Sequence, residues 1–180
     1  MTIPTAGQVA AAFAAHGWPM PTGLHFVGLR AKGGFTDTFN DMALAMHGGI
    51  VAFACRCTTD PGKEHREKPE NKEGCAVWAI SQVVDGLTFG YHKGEYRCLV
   101  PAKPIPVLRY DSLTDATGTP STSRTTQWHR ASPSHESNRV GLWSAGCTVI
   151  ANPNDFATLM AMADTSGQQR FTVSMLEALD

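Results

Sequence analysis

The chain contains no C-x-x-C pair, no apolar run approaching a membrane span, and no excess of charge of either sign. Each absence excludes something. Crossing a bilayer as a helix takes about 20 apolar residues, and no stretch approaches that. Fifteen Lys and Arg stand against 16 Asp and Glu, for a formal net charge of −1 and a pI near 6.6. Nucleic acid and anionic membranes call for a concentrated basic surface, so neither is expected as a partner. The cysteines at 55, 57, 75, 98 and 147 are odd in number and lack zinc-ligand spacing, which leaves at least one free thiol and no expected metal or cofactor. Met1 to Gly17 lacks the basic start and continuous apolar centre of a secretory signal. The product is therefore expected to be made in the cytoplasm without a signal peptide.

Glycine and proline, in contrast, are plentiful at 17 and 11 residues. At 180 residues this composition suits one domain over 1–180, built of short elements joined by many turns, rather than a helical bundle. Thr5 with Gln8 forms a capping-box pattern, and Val9 and Phe13 share a face, so residues 6–16 should be a short N-terminal helix followed by a turn to about residue 23. Strands are expected over 24–30, over 42–47 and 50–59 as a hairpin around Gly48-Gly49, over 75–84 and 87–100 around Asp85-Gly86, and over 105–110. Residues 60–74 hold nine charged side chains in fifteen and read as a solvated loop, and the Ser/Thr/Gly/Pro-rich stretch 112–126 as a long loop over a site. Asn152-Pro153-Asn154-Asp155 opens a short C-terminal helix carrying Phe156, Leu159, Met160 and Ala163 on one stripe, and 171–179 suits a last strand. The fold class is predominantly β (α+β).

The chemistry concentrates in Trp128 to Ile150, WHRASPSHESNRVGLWSAGCTVI. Only a few per cent of a free cysteine, with its pKa of about 8.5, is thiolate at neutral pH, and a neighbouring histidine supplies the missing base. His129 and Cys147 lie on β-like stretches separated by a long loop, so a hairpin would set them side by side. Gly146 permits a tight turn and a close approach of substrate to backbone N–H groups.

From His129 there are 14 intervening residues to Ser144-Ala145-Gly146-Cys147, a spacing that resembles the signature of the L,D-transpeptidase (YkuD-like) catalytic domain. The likeness covers about 26–156. It extends to Phe39-Asn40-Asp41, Thr58 to Gly62, Gly90 to Tyr96 and Arg109 to Asp111, which are similar to a phage endolysin and lytic-effector branch. The resemblance implies a mixed β-sandwich or barrel and a cell-wall enzyme. In it Cys147 attacks the peptide stem of peptidoglycan with His129 as base, and Ser144 and Gly146 shape the turn. Ala145 stands where the family often has histidine and Val149 where it usually has arginine. Val149, with the missing export signal, favours a lytic relative that reaches the wall by separate delivery.

Trp128 and Trp143 flank the motif and offer indole faces to sugar or peptide. His92, Arg130 and Arg139 can meet substrate carboxylates. A muramidase-like glycosidase on the same scaffold would instead need a carboxyl acid, for which Glu136, Asp41 and Asp60 are the candidates, with Glu95 also embedded in a motif. A non-catalytic wall-binding protein is the third reading.

Overall fold

The computed structural model describes residues 1–179. The chain is mainly β, with 40% strand and 17% helix. The described residues form two sheets, three α-helices and one 3₁₀ turn. Eight strands close a barrel in the order β1 (His25–Arg30), β11 (Arg170–Glu177), β5 (Ser81–His92), β6 (Tyr96–Pro101), β9 (Trp128–Arg130), β10 (Thr148–Ile150), β3 (Ile50–Thr58) and β2 (Asp41–His47). A three-stranded sheet of β4 (Cys75–Trp78), β7 (Ile105–Tyr110) and β8 (Thr119–Ser123) accompanies it, with β7 in the centre. No helix among the described residues is long and apolar enough to cross a membrane.

Several barrel strands are apolar on both faces because each face meets a different core. On β2, Ala43 and Ala45 join the barrel interior with Phe26, Leu87, Leu99 and Trp128. The alternating residues Met42, Leu44 and Met46 join an outer cluster with Val27, Leu29 and Leu176. Helix α1 (Ala6–Ala15) covers that outer cluster with Val9 and Phe13. Its start is the expected capping box, in which Gln8 N–H donates to Thr5 Oγ1 at 3.2 Å and Thr5 N–H to Gln8 Oε1 at 2.9 Å. Helix α3 (Pro153–Thr165) starts on Asn152, whose Oδ1 accepts from Asn154 N–H at 2.9 Å. It buries the Phe156, Leu159, Met160 and Ala163 stripe in the interior core.

The Gly48-Gly49 hairpin forms as expected, with φ of 58° and 77° at the two glycines. Asp85-Gly86, in contrast, does not reverse the chain. Strand β5 runs through it, with Asp85 at φ 52° and a register shift in the facing β11 between Phe171 and Val173. The reversal comes at Lys93-Gly94, with φ of 49° and 75°, between paired His92 and Tyr96. A bulge and a turn use the same left-handed backbone, so an x-Gly pair does not say which it makes. Residues 60–74 are not wholly a solvated loop. They contain α2 (Lys63–Glu67), whose His65 and Arg66 are buried, Arg66 lying 3.5 Å from the centre of the Phe35 ring. Within 112–126, Thr119–Ser123 is strand β8, held by pairing with β7 rather than by apolar residues of its own.

The segments that carry the site are the shortest strands. β9 and β10 are three residues each and pair in parallel, with Thr148 opposite Trp128 and Val149 opposite His129. The expected hairpin is therefore replaced by a crossover: the 131–147 segment leaves β9 and returns beside it in the same direction, as parallel pairing requires.

Candidate active site

Parallel pairing decides which side chains meet. Trp128 and Ile150 point into the barrel core, so His129 and Val149 point to the other face, and Val149 packs there with Phe39, Ala131 and Val140. Cys147 is two residues before Val149 and shares that face, where it lies against the same cluster. One strand spacing across and two residues along separate it from His129, or about 8 Å between Cα atoms by standard strand dimensions. Both residues line one cavity of about 790 Å³.

The Ser144-Ala145-Gly146-Cys147 turn is held from within. Buried Ser144 donates its hydroxyl to Cys147 O at 2.9 Å and accepts from Gly146 N–H at 3.1 Å, while Gly62 N–H donates to Ser144 O at 2.9 Å. Gly146 has φ 130°, and a Cβ there would lie 2.1 Å from Ala76 O on β4. Only glycine lets the turn before Cys147 press against the second sheet. Gly146 N–H is used by Ser144, whereas Cys147 N–H, like that of Ala145, has no partner among the described hydrogen bonds and is available to an oxyanion.

The sulphur is half-buried, accepts Gln127 N–H at 3.3 Å and lies 3.8 Å from Thr125 O. Its burial pushes the thiol up to about 11, against the opposing pull of the Gln127 N–H and the Lys93 cation. His129 is 1% exposed. Burial, followed by the neighbouring His92, lowers its pKa to about 3, outweighing the hydrogen bond to the Arg130 carbonyl. The resting pair is thus neutral thiol and neutral imidazole. His129 Nδ1 lies 2.8 Å from Arg130 O, which can only accept, so Nδ1 carries the proton and Nε2 presents the lone pair. Tyr96 Oη braces this arrangement, 3.3 Å from Nδ1 and donating to Arg130 O at 3.1 Å. A backbone carbonyl orients the His129 ring, in the position a carboxylate takes in a Ser-His-Asp triad.

His92 joins the site by stacking on His129 with ring centres 3.9 Å apart, held by Gln127 Oε1 at 2.7 Å from its Nδ1. Arg130 lines the cavity and lies over the Tyr96 ring at 4.0 Å. Trp143 lines it at the 3₁₀ turn Gly141–Trp143 and is 42% exposed.

The other sequence candidates lie elsewhere. Trp128 is a core residue, 1% exposed against Phe26, and offers no face to a ligand. Arg139 pairs with Asp37 at 2.7 Å and with Glu64, outside the cavity. Asp41 is buried and fully used, accepting Ala31 N–H at 2.7 Å, Thr59 N–H at 2.6 Å and Thr59 Oγ1–H at 2.8 Å. Asp60 is buried beside Arg30, whose Nε lies 3.1 Å from it but donates to Thr59 Oγ1. Burial raises its pKa to about 6 in spite of Arg30. Glu136 pairs with Arg56 at 2.8 Å on the surface. The acids that do line the Cys147 and His129 cavity are Glu70 and Glu95.

Gln127 and Tyr96 were not picked out for these roles by the sequence. Gln127 and Tyr96 act through backbone atoms and through partners distant in sequence, and neither residue type signals that. Compared with known proteins, the chain matches no family model, no curated protein and no solved structure. Among the described residues no group of three or more His, Cys, Asp or Glu is placed to hold a metal ion.

Proposed function

We propose that the protein is a peptidoglycan-degrading enzyme of the L,D-transpeptidase-like, endolysin type, which cuts or exchanges the peptide stem through Cys147 with His129 as its base. The observation that carries this reading is the shared cavity of Cys147 and a His129 whose Nε2 lone pair is fixed by the Arg130 carbonyl. The His-to-Cys spacing supplies the substrate class, and the assignment of the barrel to the transpeptidase fold rests on that same signature. In the reaction the Cys147 thiol passes its proton to His129 Nε2 as sulphur bonds to the stem carbonyl carbon. Cys147 N–H donates to the developing oxyanion. The carbon–nitrogen bond then breaks, the leaving amine takes the proton from Nε2, and water or another amine, deprotonated by the same nitrogen, releases the acyl group. Because thiol and imidazole are both neutral at rest, ionisation belongs to the attack itself, the proton reaching Nε2 as the sulphur–carbon bond forms.

Of the acids named for the glycosidase reading, Asp41, Asp60 and Glu136 are engaged away from the cavity, and Glu95 lines it. Digestion of purified sacculi tests the choice. Cys147→Ala should abolish release of D-alanine and trimmed stems, and a Glu70→Gln/Glu95→Gln double variant should retain it. New reducing sugar ends that persist in Cys147→Ala and vanish in the double variant would overturn the stem reading in favour of glycan cleavage.

A further inference from the structure

The cleft has two arms that meet at the sulphur. One is the 790 Å³ cavity that contains His129, His92 and Trp143; the other, of about 650 Å³, contains Arg109, Thr126 and Gly146. Cys147 and Ala145 line both arms, whereas His129 lines only the first and Arg109 only the second. Acyl transfer sets a direction along such a cleft. The base must reach the leaving amine and then the incoming water or amine, so both of these occupy the His129 arm. The acyl portion of the stem occupies the other arm, beside Arg109.

Arg109 is placed rigidly. It lies on β7, the central strand of the second sheet, paired with Ala76 on one side and Thr119 on the other. Ala76 is the residue whose carbonyl abuts Gly146 of the nucleophile's turn, so Arg109 stands one strand beyond that contact, about 5 Å from Ala76 between Cα atoms. Its side chain is 11% exposed, its Nε is buried without a hydrogen-bond partner, and Nη1 donates only to Gly74 O at 3.3 Å. The nearest carboxylate, Glu73 Oε2, lies 3.8 Å from Nε on a side chain that is 68% exposed, too far to accept a hydrogen bond. The buried Nε donor is therefore unsatisfied in the arm that receives the acyl group, and leaving a buried donor unpaired is costly. A planar carboxylate matches the guanidinium fork, whereas an amide matches it poorly and an ammonium not at all.

We propose that Arg109 is the specificity residue of the acyl-donor side and binds a free carboxylate on the side chain of the stem residue whose carbonyl Cys147 attacks. The enzyme thereby selects stems bearing an acid at that position over stems that are amidated or carry lysine there. This inference rests on the stem reading given above.

Three synthetic tetrapeptide stems test it, alike except for a free carboxylate, its amide, or a lysine side chain at the third residue, with D-alanine release as the readout. The wild type should favour the free acid by roughly 10- to 100-fold in kcat/KM, the range set by hydrogen bonds to a charged group. Arg109→Gln should lower the rate on the acid stem to that on the amide and leave the amide rate within about threefold, and Arg109→Lys should keep part of the preference. Equal wild-type rates on all three stems would overturn the inference while leaving the stem reading intact, as would an Arg109→Gln variant that slows every stem alike with an unchanged melting temperature. Turnover of none of the stems by the wild type would overturn the stem reading, and this inference with it.

Discussion

Alkylation of Cys147 by iodoacetamide as a function of pH probes the electrostatics of the site directly. At pH 8 a thiol of pKa about 11 is about 0.1% thiolate, against about a quarter for an ordinary cysteine near 8.5, a deficit of roughly 200-fold. The more basic thiolate is intrinsically the better nucleophile, by about tenfold for a shift of this size, so the net rate should be roughly 20-fold below that of a free thiol. It should climb nearly tenfold per pH unit between pH 7 and 10 with no plateau. The other four cysteines will not mask this. Cys55, Cys57, Cys75 and Cys98 are all buried, and burial raises each of their pKa values. Peptide mapping by mass spectrometry should find the label at Cys147 alone. A rate that levels off between pH 6 and 8 at or above that of a free thiol would mean a resting thiolate–imidazolium pair and would refute the neutral ground state.

Further outcomes follow from the same geometry. Gly146→Ala places a Cβ 2.1 Å from Ala76 O at a φ of 130°; overpacking and backbone strain together should cost about 2–5 kcal/mol, lowering the melting temperature by roughly 5–15 °C and abolishing activity. Asp41→Asn removes a carboxylate accepting three buried hydrogen bonds and should cost about 2–3 kcal/mol in denaturant unfolding, yet leave Cys147 alkylation unchanged in the folded protein. Asp60 has a folded pKa of about 6, above its unfolded value, so the native state binds its proton more tightly. Its contribution is present below about pH 4 and lost as pH rises through 6, amounting to about 3 kcal/mol. Asp60→Asn should flatten that part of the stability–pH profile, and an unchanged slope would contradict it.

The parts of the fold legible in the sequence were those set by local chemistry. The Thr5 and Gln8 box, the Asn152-Pro153 start and the Gly48-Gly49 hairpin each satisfy their own backbone groups within a few residues, and each forms as expected. The β8 strand and the buried α2 were hidden because long-range pairing with β7 and packing of Arg66 on Phe35 stabilise them, neither of which leaves a periodic apolar signal. At the site, Cys147, His129, Ser144 and Gly146 were singled out by spacing; Cys147 and His129 line one cavity, and Ser144 is hydrogen-bonded to Gly146 and Cys147 within the turn. The parallel pairing of β9 with β10 was not legible, because both strands are three residues long and the intervening segment contains only one 3₁₀ turn and no α-helix to announce a crossover. Trp128 was misplaced for a related reason: strand parity sends it into the barrel, and parity follows from register, which three residues do not reveal.

The central claim is that Cys147 forms a covalent acyl intermediate with His129 as its base. Denaturing intact-mass spectrometry, with a tetrapeptide stem mixed and acid-quenched within seconds, measures it most directly. The wild type should gain the mass of the stem lacking D-alanine, located on Cys147 and removed by hydroxylamine. Cys147→Ala should gain nothing, and His129→Gln should gain it at least 100-fold more slowly. Stem trimming by the wild type with no adduct at any quench time, or trimming undiminished in Cys147→Ala, would contradict the account.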